Sequence, residues 1–480
     1  LAKQGMKLKQ EPELDPTKMA AAFQDGEQST VAKDMLSSVG VVHIDGNGVG
    51  AIMRYLGCAH RAVQKIGVSA TSDEETTEES EGLQSFIMEV NRRLDNVVKD
   101  AIALSWYDVQ ELTPDTVVPI VPVLVGGDDV TVYTDGRYAI PFAEAYIRHY
   151  EKLTKDDDLL SVLAIVAGGK KTDAPERDHF EIDDYIIQNP GPLTASAGVA
   201  IVGRNFQFHI AYDLAEELVS RGKKLGKKKG EVPCSTIDFH VLRDATVLDP
   251  DDTLDEYKGR VQRPFLVGHY APERIGDAPT TSPEEAPTAK PQPLPSWECI
   301  LRAVAVFDGK KPDDPTQTTG DPFPRTRANR IVKLLADYVN VPKDDKARSE
   351  CLGYVLKDNE QAFATQEQID NDKQKSDDVK RITKRCKHPI CAIRLEWTDA
   401  QENARGTKAL VKALGPLPSK TRLDDPDEHT EDCIEQVRWL LDLIDLSENV
   451  PDGYLACRIG QGNDDGSAAT TDDPTEGGAQ

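Results

Sequence analysis

The sequence feature that most restricts the fold is "VPVLVGGDDVTVYTDG", residues 121–136, in which four small or acidic residues separate two valine-rich runs. Apolar residues alternate on both sides, as they do in half-buried strands. Two strands joined by so short a polar stretch pair antiparallel. The segment therefore predicts a β-hairpin with Gly126, Gly127, Asp128 and Asp129 at its turn. A turn alone would explain these residues; a metal site placed on that turn is the alternative interpretation.

The segments around this hairpin predict an α+β fold. Further strands are expected at 39–46, 193–203 and 235–242, and helices at 86–102, at 209–225 and around a stripe formed by Phe142, Tyr146 and Tyr150. The resulting order from 39 to 242 is β-α-β-β-α-β-α-β. This order is typical of a palm (ferredoxin-like, nucleotide-cyclase type) domain, in which helices pack on an antiparallel sheet.

Composition along the chain predicts that it divides into five parts. They are a polar N-terminal segment (1–37), the palm domain (38–245), a linker (246–296) that is rich in proline from 278, a helical domain (297–460) and a disordered tail (461–480). Within the palm, the acidic stretch 72–82 is expected to be a loop and 154–192 an insertion. The helical periodicities after the linker lie at 297–307, 326–339, 376–386, 406–415 and 430–446.

The overall composition predicts a soluble cytoplasmic protein. No apolar run approaches the roughly 20 residues that span a bilayer, and the first residues have no apolar core of a signal peptide. The eight cysteines include no CxxC pair, which argues against a zinc ribbon or a disulfide framework. The formal net charge of −26 disfavours general binding to nucleic acid backbones.

Asp45 is the residue that favours a metal site over a simple turn. It ends the apolar run "VGVVHIDG", and a carboxylate at the end of a buried strand is costly unless a cation or hydrogen bonds compensate it. In a palm sheet this strand lies beside the central hairpin, so Asp45, Asp128 and Asp129 should converge. Three such carboxylates repel one another and raise one another's pKa, a conflict that magnesium would resolve.

Four motifs occur in an order that points to a known family. They are "HIDGNGVGAIM", "VLVGGDDVTVY", "LTASAGVAIV" with the following "AYDLAEELVSRGKK", and "STIDFHVL". Together they resemble the second palm (GGDD cyclase) domain of the large subunit of type III CRISPR effector complexes, the CRISPR polymerase or cyclic oligoadenylate synthase family. The resemblance covers about 38–245, and the helical part after "RPF" (263–265) is similar in kind to the helical domain that follows the palm there.

The resemblance implies a catalytic and metal-binding set. Asp45 and Asp128 match the metal-binding aspartates, and Asp129 matches the second acid of the GGDD turn. The backbone carbonyl of Ile44 is expected as a further ligand. Two Mg²⁺ or Mn²⁺ ions are the implied cofactors.

The same resemblance implies a nucleotide site for ATP. Gly126 and Gly127 match the nucleotide-facing glycines, Ser196 and Gly198 lie on the strand that lines the base and the ribose, and Lys223 matches the helix lysine that meets the triphosphate. The implied activity is the condensation of ATP into cyclic oligoadenylates, second messengers in antiviral defence. Because two ATP molecules must face each other, we expect a homodimer through the palm domains or a palm-containing partner.

Some features depart from the family, and other functions stay open. The His-Asp dipeptide of its phosphohydrolase domain does not occur in this sequence, and the acidity fits poorly with membership in an RNA-guided complex. A diguanylate cyclase-like enzyme is one alternative, although Met53 stands where those enzymes have a guanine-reading asparagine. A non-catalytic ATP-binding sensor or scaffold with a palm fold is the other.

Overall fold

Helices pack on both faces of a mixed sheet in this α+β fold. The computed structural model describes residues 38–54, 57, 60, 79–113, 117–163, 170–171, 180–181, 191–226, 234–243, 249–269, 296–318, 320–339, 392–393, 396–397, 400, 435–451 and 453–461. The strands are β1 (Ser38–Gly46), β2 (Ile120–Gly126), β3 (Asp129–Asp135), β4 (Lys170–Lys171), β5 (Phe180–Glu181), β6 (Ala195–Gly203), β7 (Ser235–Val241) and β8 (Phe265–Val267). The helices are α1 (Val49–Arg54), α2 (Glu79–Glu111), α3 (Gly136–Asp156), α4 (Phe208–Gly226), α5 (Pro250–Glu256), α6 (Trp297–Phe307), α7 (Arg325–Val339), α8 (Glu435–Asn449) and α9 (Tyr454–Gln461).

Strand β1 lies inside the main sheet, between β3 and β6, and runs antiparallel to both. The order across the sheet is β2-β3-β1-β6-β7-β8, and β4 and β5 form a separate pair. Strands β6 and β7 run parallel. A parallel pair needs a long crossover, which α4 supplies. The three strands and the hairpin predicted between 39 and 242 are confirmed, as is the pairing of the first strand with the hairpin. The expectation of a wholly antiparallel sheet is wrong, because the crossover through α4 makes β6 and β7 parallel.

The sheet is covered on both faces, and alternate residues of β1 enter different cores. Val42 and Ile44 point into the main core with α2 and α3, whereas Val39 and Val41 point into a second core beneath α4. Every residue of strand β6 is buried except the last, Gly203. Because both of its faces are covered, its sequence is continuously apolar or small rather than alternating.

Helix bounds differ from the sequence expectation mainly in α2. This helix begins at Glu79, inside the stretch 72–82 that was expected to be a loop. Glutamate is a good helix former, and its negative charge is favourable in the first turn, so an acidic run can begin a helix. In α3, Tyr146 and Tyr150 are both 1% exposed and stack on each other, which confirms the predicted core stripe.

The segment 246–296, expected to be a linker, contains α5 and β8 in its described part. Strand β8 pairs antiparallel with β7 and so extends the sheet. Three residues are too short to show an alternation of apolar and polar side chains, which is why the sequence did not predict this strand. The proline-rich part from 278 lies almost wholly outside the described residues.

Helices of the C-terminal part pack against the end of the sheet. The ring of Phe265 in β8 lies 5.9 Å from that of Trp297 in α6 and 6.1 Å from that of Trp439 in α8. Three predicted helices correspond to α6, α7 and α8. The helices expected at 376–386 and 406–415, the segment 1–37 and nearly all of the tail lie outside the described residues, as does most of 154–192.

A buried group of charges also joins the sheet to α8. Arg263, just before β8, is 4% exposed and lies 2.8 Å from Asp445 and 3.4 Å from Asp442. Its guanidinium also lies 4.5 Å from the ring centre of Phe239 in β7. No helix in the described part of the chain is long and apolar enough to cross a membrane.

Candidate functional site

The Gly-Gly-Asp-Asp stretch forms the tight turn between β2 and β3. Gly126 and Asp129 are the last paired residues, and Gly127 has a φ of 61°, in the left-handed region that favours glycine. A Cβ built on Gly126 or Gly127 would meet no atom within 4 Å. The turn is therefore confirmed, and the backbone of its glycines borders open space.

Asp45 lies directly opposite Asp129 in the pairing of β1 with β3, and opposite Ser196 in the pairing of β1 with β6. Ser196 in turn pairs with Thr236 of β7. Direct partners in a ladder place their side chains on the same face, so these four residues form a row across four strands. The row lies beneath α4, and its acidic end is at the hairpin.

Asp128 completes the acidic cluster, which we define as Asp45, Asp128 and Asp129. Asp128 lies in the turn itself, against the backbone of Gly46. A Cβ built on Gly46 would lie 2.8 Å from the Cβ of Asp128 and 2.9 Å from its Oδ2. Glycine at this position therefore lets the turn approach the end of β1.

Burial, and then the neighbouring negative charges, destabilise the charged forms of Asp128 and Asp129. Burial raises the pKa of Asp128 to about 6, with further contributions from the charges of Asp45 and Asp129. Burial also raises the pKa of Asp129, and the charge of Asp45 adds to this effect. The electrostatic conflict expected from the sequence is therefore present at these two residues.

Lys223 supplies a positive charge to the cluster from α4. Its ammonium group contacts the carboxylate of Asp45, and the two side chains are 20% and 31% exposed. Its charge also lowers the pKa of Asp128 and Asp129, against the larger effect of burial. The sequence predicted that Lys223 meets a triphosphate; the structure places it where it neutralises one of three carboxylates.

Gly198 is one of the residues that allow α4 to lie so close to the sheet. A Cβ built on Gly198 would lie 2.1 Å from the backbone oxygen of Ala215, and one built on Gly222 of α4 would lie 2.4 Å from Oγ1 of Thr236. Gly198 is thus buried against the helix, whereas the sequence placed it along the base and ribose of a nucleotide. Its small size serves helix packing, which in turn positions Lys223.

Ser196 is also buried, with none of its surface exposed. Its hydroxyl donates a hydrogen bond of 3.0 Å to Oδ1 of Asn47 and accepts one of 2.9 Å from Oγ1 of Thr236. The side-chain amide of Asn47 donates to Oγ1 of Thr194 at 3.2 Å. These residues form a polar support beneath the end of β1, and Ser196 does not line an open surface.

Two of the supporting residues were not predicted from the sequence. Asn47 follows Asp45 by two positions in "DGNG", and this short polar stretch after a strand was the available signal. His43 is 5% exposed, and its Nδ1 lies 3.0 Å from Oγ1 of Thr131, so it is a core histidine with a hydrogen-bond partner. Burial lowers its pKa, an effect that the charges of Asp129 and Asp45 partly oppose.

The donor atoms of the acidic cluster are of the type that Mg²⁺ and Mn²⁺ bind. These ions prefer carboxylate and carbonyl oxygens. In the described part of the site, the single positive charge of Lys223 is smaller than the combined negative charge of three ionised carboxylates. Ile44, whose carbonyl was expected to be a ligand, lies within β1 with its side chain fully buried. Among the described residues, no group of three or more His, Cys, Asp or Glu side chains is arranged tightly enough to hold a metal ion.

The arrangement as a whole brings together Asp45, Asp128, Asp129 and Lys223, with Gly126 and Gly127 on its open side. It leaves Ser196 and Gly198 buried beneath the helix that carries the lysine. Carboxylates and an ammonium group therefore lie side by side at the hairpin turn. In comparisons with known proteins, no family model matches the chain and no curated protein matches it.

Proposed function

We propose that the protein is a nucleotidyltransferase that condenses ATP into cyclic oligoadenylate second messengers, in antiviral signalling of the type III CRISPR kind. The observation that carries this proposal is the acidic cluster at the hairpin turn, with Asp45 directly opposite Asp129. The sequence motifs that resemble the palm of cyclic oligoadenylate synthases supply the choice of ATP.

The residues of the cluster would hold the ions that such a reaction needs. The carboxylates of Asp45, Asp128 and Asp129 and the carbonyl of Ile44 are the proposed ligands of two Mg²⁺ or Mn²⁺ ions. When bound, these ions would lower the pKa of a ribose 3′ hydroxyl and neutralise charge on the triphosphate. The raised pKa of Asp128 supports this role, because a bound cation would favour the ionised carboxylate.

The protein's own groups would position the nucleotide. Lys223 is close enough to the cluster to exchange Asp45 for a phosphate oxygen once a cation neutralises that carboxylate. The backbone of Gly126 and Gly127 borders open space, so that a nucleotide can approach it without a side chain in the way.

A second palm is part of the proposal, because joining two nucleotides requires two sites. Strand β2 lies at the edge of the sheet and carries the turn. Its residues Val123, Val125 and Leu124 are 52%, 40% and 46% exposed, which is unusual for apolar side chains on a strand edge. A homodimer in which this edge faces the partner's palm, or a palm-containing partner of another kind, would cover them.

A non-catalytic ATP-binding sensor remains a second candidate. The contact between Lys223 and Asp45 favours it, because this contact compensates Asp45 without any metal ion. Such a sensor would bind ATP and leave it intact.

Pyrophosphate release distinguishes these two candidates. Purified protein with ATP and Mg²⁺ or Mn²⁺ should release pyrophosphate, and the double variant Asp128→Asn/Asp129→Asn should not. Asp95→Asn, at an exposed position on α2, is the matched control and should behave like the unaltered protein. ATP binding without release would support the sensor. If ATP neither binds nor reacts, even with candidate partners and RNA present, the synthase proposal is wrong.

A further inference from the structure

Aromatic side chains lie beside the acidic cluster on the α4 side of the sheet. Tyr133 of β3 and Phe208 and Tyr212 of α4 form what we call the aromatic shelf. The ring centres of Tyr133 and Phe208 are 6.0 Å apart with planes inclined by 56°, and those of Phe208 and Tyr212 are 6.3 Å apart with planes inclined by 30°. Phe208 is 39% exposed, and both tyrosines are partly exposed.

The shelf and the acidic cluster lie on the same side of the sheet, with the buried residues His43 and Thr131 between them. Tyr133 follows Asp129 by four residues in β3, so the two side chains share a face and stand about 13 Å apart along the strand. On α4, Phe208, Tyr212 and Glu216 recur every four residues and so follow one side of the helix. Lys223 lies two turns beyond Glu216 on the same helix.

Tyr212 is the residue of the shelf that lies toward β1 and the acidic cluster. Burial raises the pKa of the Tyr212 phenol, and the charges of Glu216 and Asp129 raise it further. The ring of Tyr212 also lies 5.4 Å from that of His43, two residues before Asp45 in β1. Tyr212 therefore links the shelf to the strand that carries Asp45.

The floor of the shelf continues onto the hairpin. Leu124 of β2 pairs with Thr131, and Val121 pairs with Tyr133, so both side chains are on the α4 side of the sheet. Leu124 is 46% exposed and Val121 is partly exposed. Helix α4 packs on β1, β6 and β7, and the hairpin lies to one side of it.

This side of the sheet carries aromatic rings at one end and charged groups at the other, and a nucleotide likewise has a base at one end and phosphates at the other. We propose that the aromatic shelf binds the base of a nucleotide whose phosphates lie against Lys223 and the acidic cluster. This inference rests on the proposed function, since a nucleotide must be the ligand of the cluster. Aromatic side chains bind bases by stacking on them, and every nucleobase has a face that can stack.

The test compares a probe that has a base with one that has none. Binding of ATP and of tripolyphosphate, each with Mg²⁺, is measured by calorimetry for the unaltered protein, Phe208→Ala and Phe208→Trp. We expect Phe208→Ala to weaken ATP binding roughly tenfold, as the loss of one stacking partner does, and to leave tripolyphosphate binding unchanged. Phe208→Trp should retain ATP affinity. Met88→Ala, at a 68% exposed position on α2, is the control for loss of an exposed apolar side chain.

Several results would overturn the shelf. These are equal weakening of both probes by Phe208→Ala, no effect on either, and no binding of ATP by the unaltered protein. Thermal melting of each variant separates loss of binding from loss of folding, and Phe208→Trp provides a second folded variant. ATP binding that depends on Phe208 without any product would support the shelf and count against the synthase. Product formation that does not depend on Phe208 would support the synthase and count against the shelf.

Discussion

The ammonium group of Lys223 contacts the carboxylate of Asp45 at the end of β1. The two residues are 178 positions apart in the chain. They meet because α4 lies close to the sheet at Gly198 and Gly222, where an added Cβ would collide with neighbouring atoms. The packing of α4 therefore determines whether the positive charge of Lys223 reaches the acidic cluster at the hairpin turn.

Replacing Lys223 with methionine should impair catalysis more than folding. The variant removes the positive charge that lowers the pKa of Asp128 and Asp129, and it removes the proposed phosphate contact. Because a hydrogen bond to a charged group contributes about 1.5–3 kcal/mol, we expect kcat/KM for ATP to fall roughly 10- to 100-fold. Steady-state pyrophosphate release measures this change.

Lys224 provides the matched control for that experiment. It is the next residue of α4, but its side chain is 77% exposed and lies near Glu217 rather than the acidic cluster. Lys224→Met should change kcat/KM less than about twofold. Equal losses in the two variants would show that the basic stretch acts through general attraction and not through the contact with Asp45.

Replacing Gly198 with alanine should destabilise the protein. The added Cβ would lie 2.1 Å from the backbone oxygen of Ala215, so α4 would have to move away from the sheet. Overpacking of this kind costs about 1–3 kcal/mol in the free energy of unfolding. Urea denaturation measures this loss, and pyrophosphate release should fall with it because Lys223 moves with the helix.

Gly203, at the end of the same strand, is the control position. A Cβ built there meets no atom within 4 Å, and the residue is exposed. Gly203→Ala should change the free energy of unfolding by less than about 0.5 kcal/mol. If both variants have the same free energy of unfolding, the prediction that α4 packs too closely on Gly198 to admit a Cβ is wrong.

The order of the strands along the chain and the position of Asp45 beside the hairpin were predictable, but the parallel pairing of β6 with β7 and the faces of β6 were not. The alternation around the turn and the apolar run before Asp45 are local signals, and they correctly placed Asp45 beside the hairpin. Ser196 and Gly198 share a face by their spacing, yet a strand covered on both sides carries no signal of which side bears a helix. Their burial beneath α4 follows from packing between distant segments.

Replacing Asp128 with asparagine should change stability in a way that depends on pH. The pKa of Asp128 in the folded protein is raised from 3.8 to about 6, so the folded state holds its proton more tightly than the unfolded state does. Stability is therefore lost as pH rises from about 4 to 6, and above pH 6 the ionised carboxylate is a cost that asparagine avoids.

We accordingly expect Asp128→Asn to be more stable than the unaltered protein at pH 8, by on the order of 1 kcal/mol after allowance for solvent screening. The difference should vanish below about pH 4, where the aspartate is protonated in both states. Urea denaturation at pH 8 and pH 4, without divalent cations, measures it. The same gain at both pH values would contradict the electrostatic conflict within the cluster.

Replacing Arg263 with methionine should lower the free energy of unfolding far more than replacing a nearby exposed arginine. Arg263 is buried between Asp442 and Asp445, which are 0% and 2% exposed. Removing one partner of a buried ion pair costs about 3–5 kcal/mol because a buried charge loses its compensation. Urea denaturation should show a loss in this range.

The control is Arg243→Met. Arg243 also contacts Asp445, at 2.7 Å, but its side chain is 45% exposed. Its loss should cost less than about 1 kcal/mol. Similar losses for the two variants would mean that the contacts between α8 and the sheet do not depend on burial of Arg263.

This buried group shows a limit of the sequence analysis. Arg263 lies within the predicted linker, and its partners Asp442 and Asp445 are about 180 positions away in a helix. The sequence around Arg263, just before a three-residue strand, contains no local pattern that predicts its burial. Only the pairing of β8 with β7 brings it beneath α8.

Mass spectrometry of the products formed from ATP tests the central claim most directly. The unaltered protein, incubated with ATP and Mg²⁺ or Mn²⁺, should give adenylates joined through their phosphates, each linkage formed with loss of one pyrophosphate. GTP in place of ATP should give less product, and Asp128→Asn/Asp129→Asn should give none. Unchanged ATP in the presence of candidate partners and RNA, or undiminished product from the double variant, would contradict the assignment of the acidic cluster as a nucleotidyltransferase site.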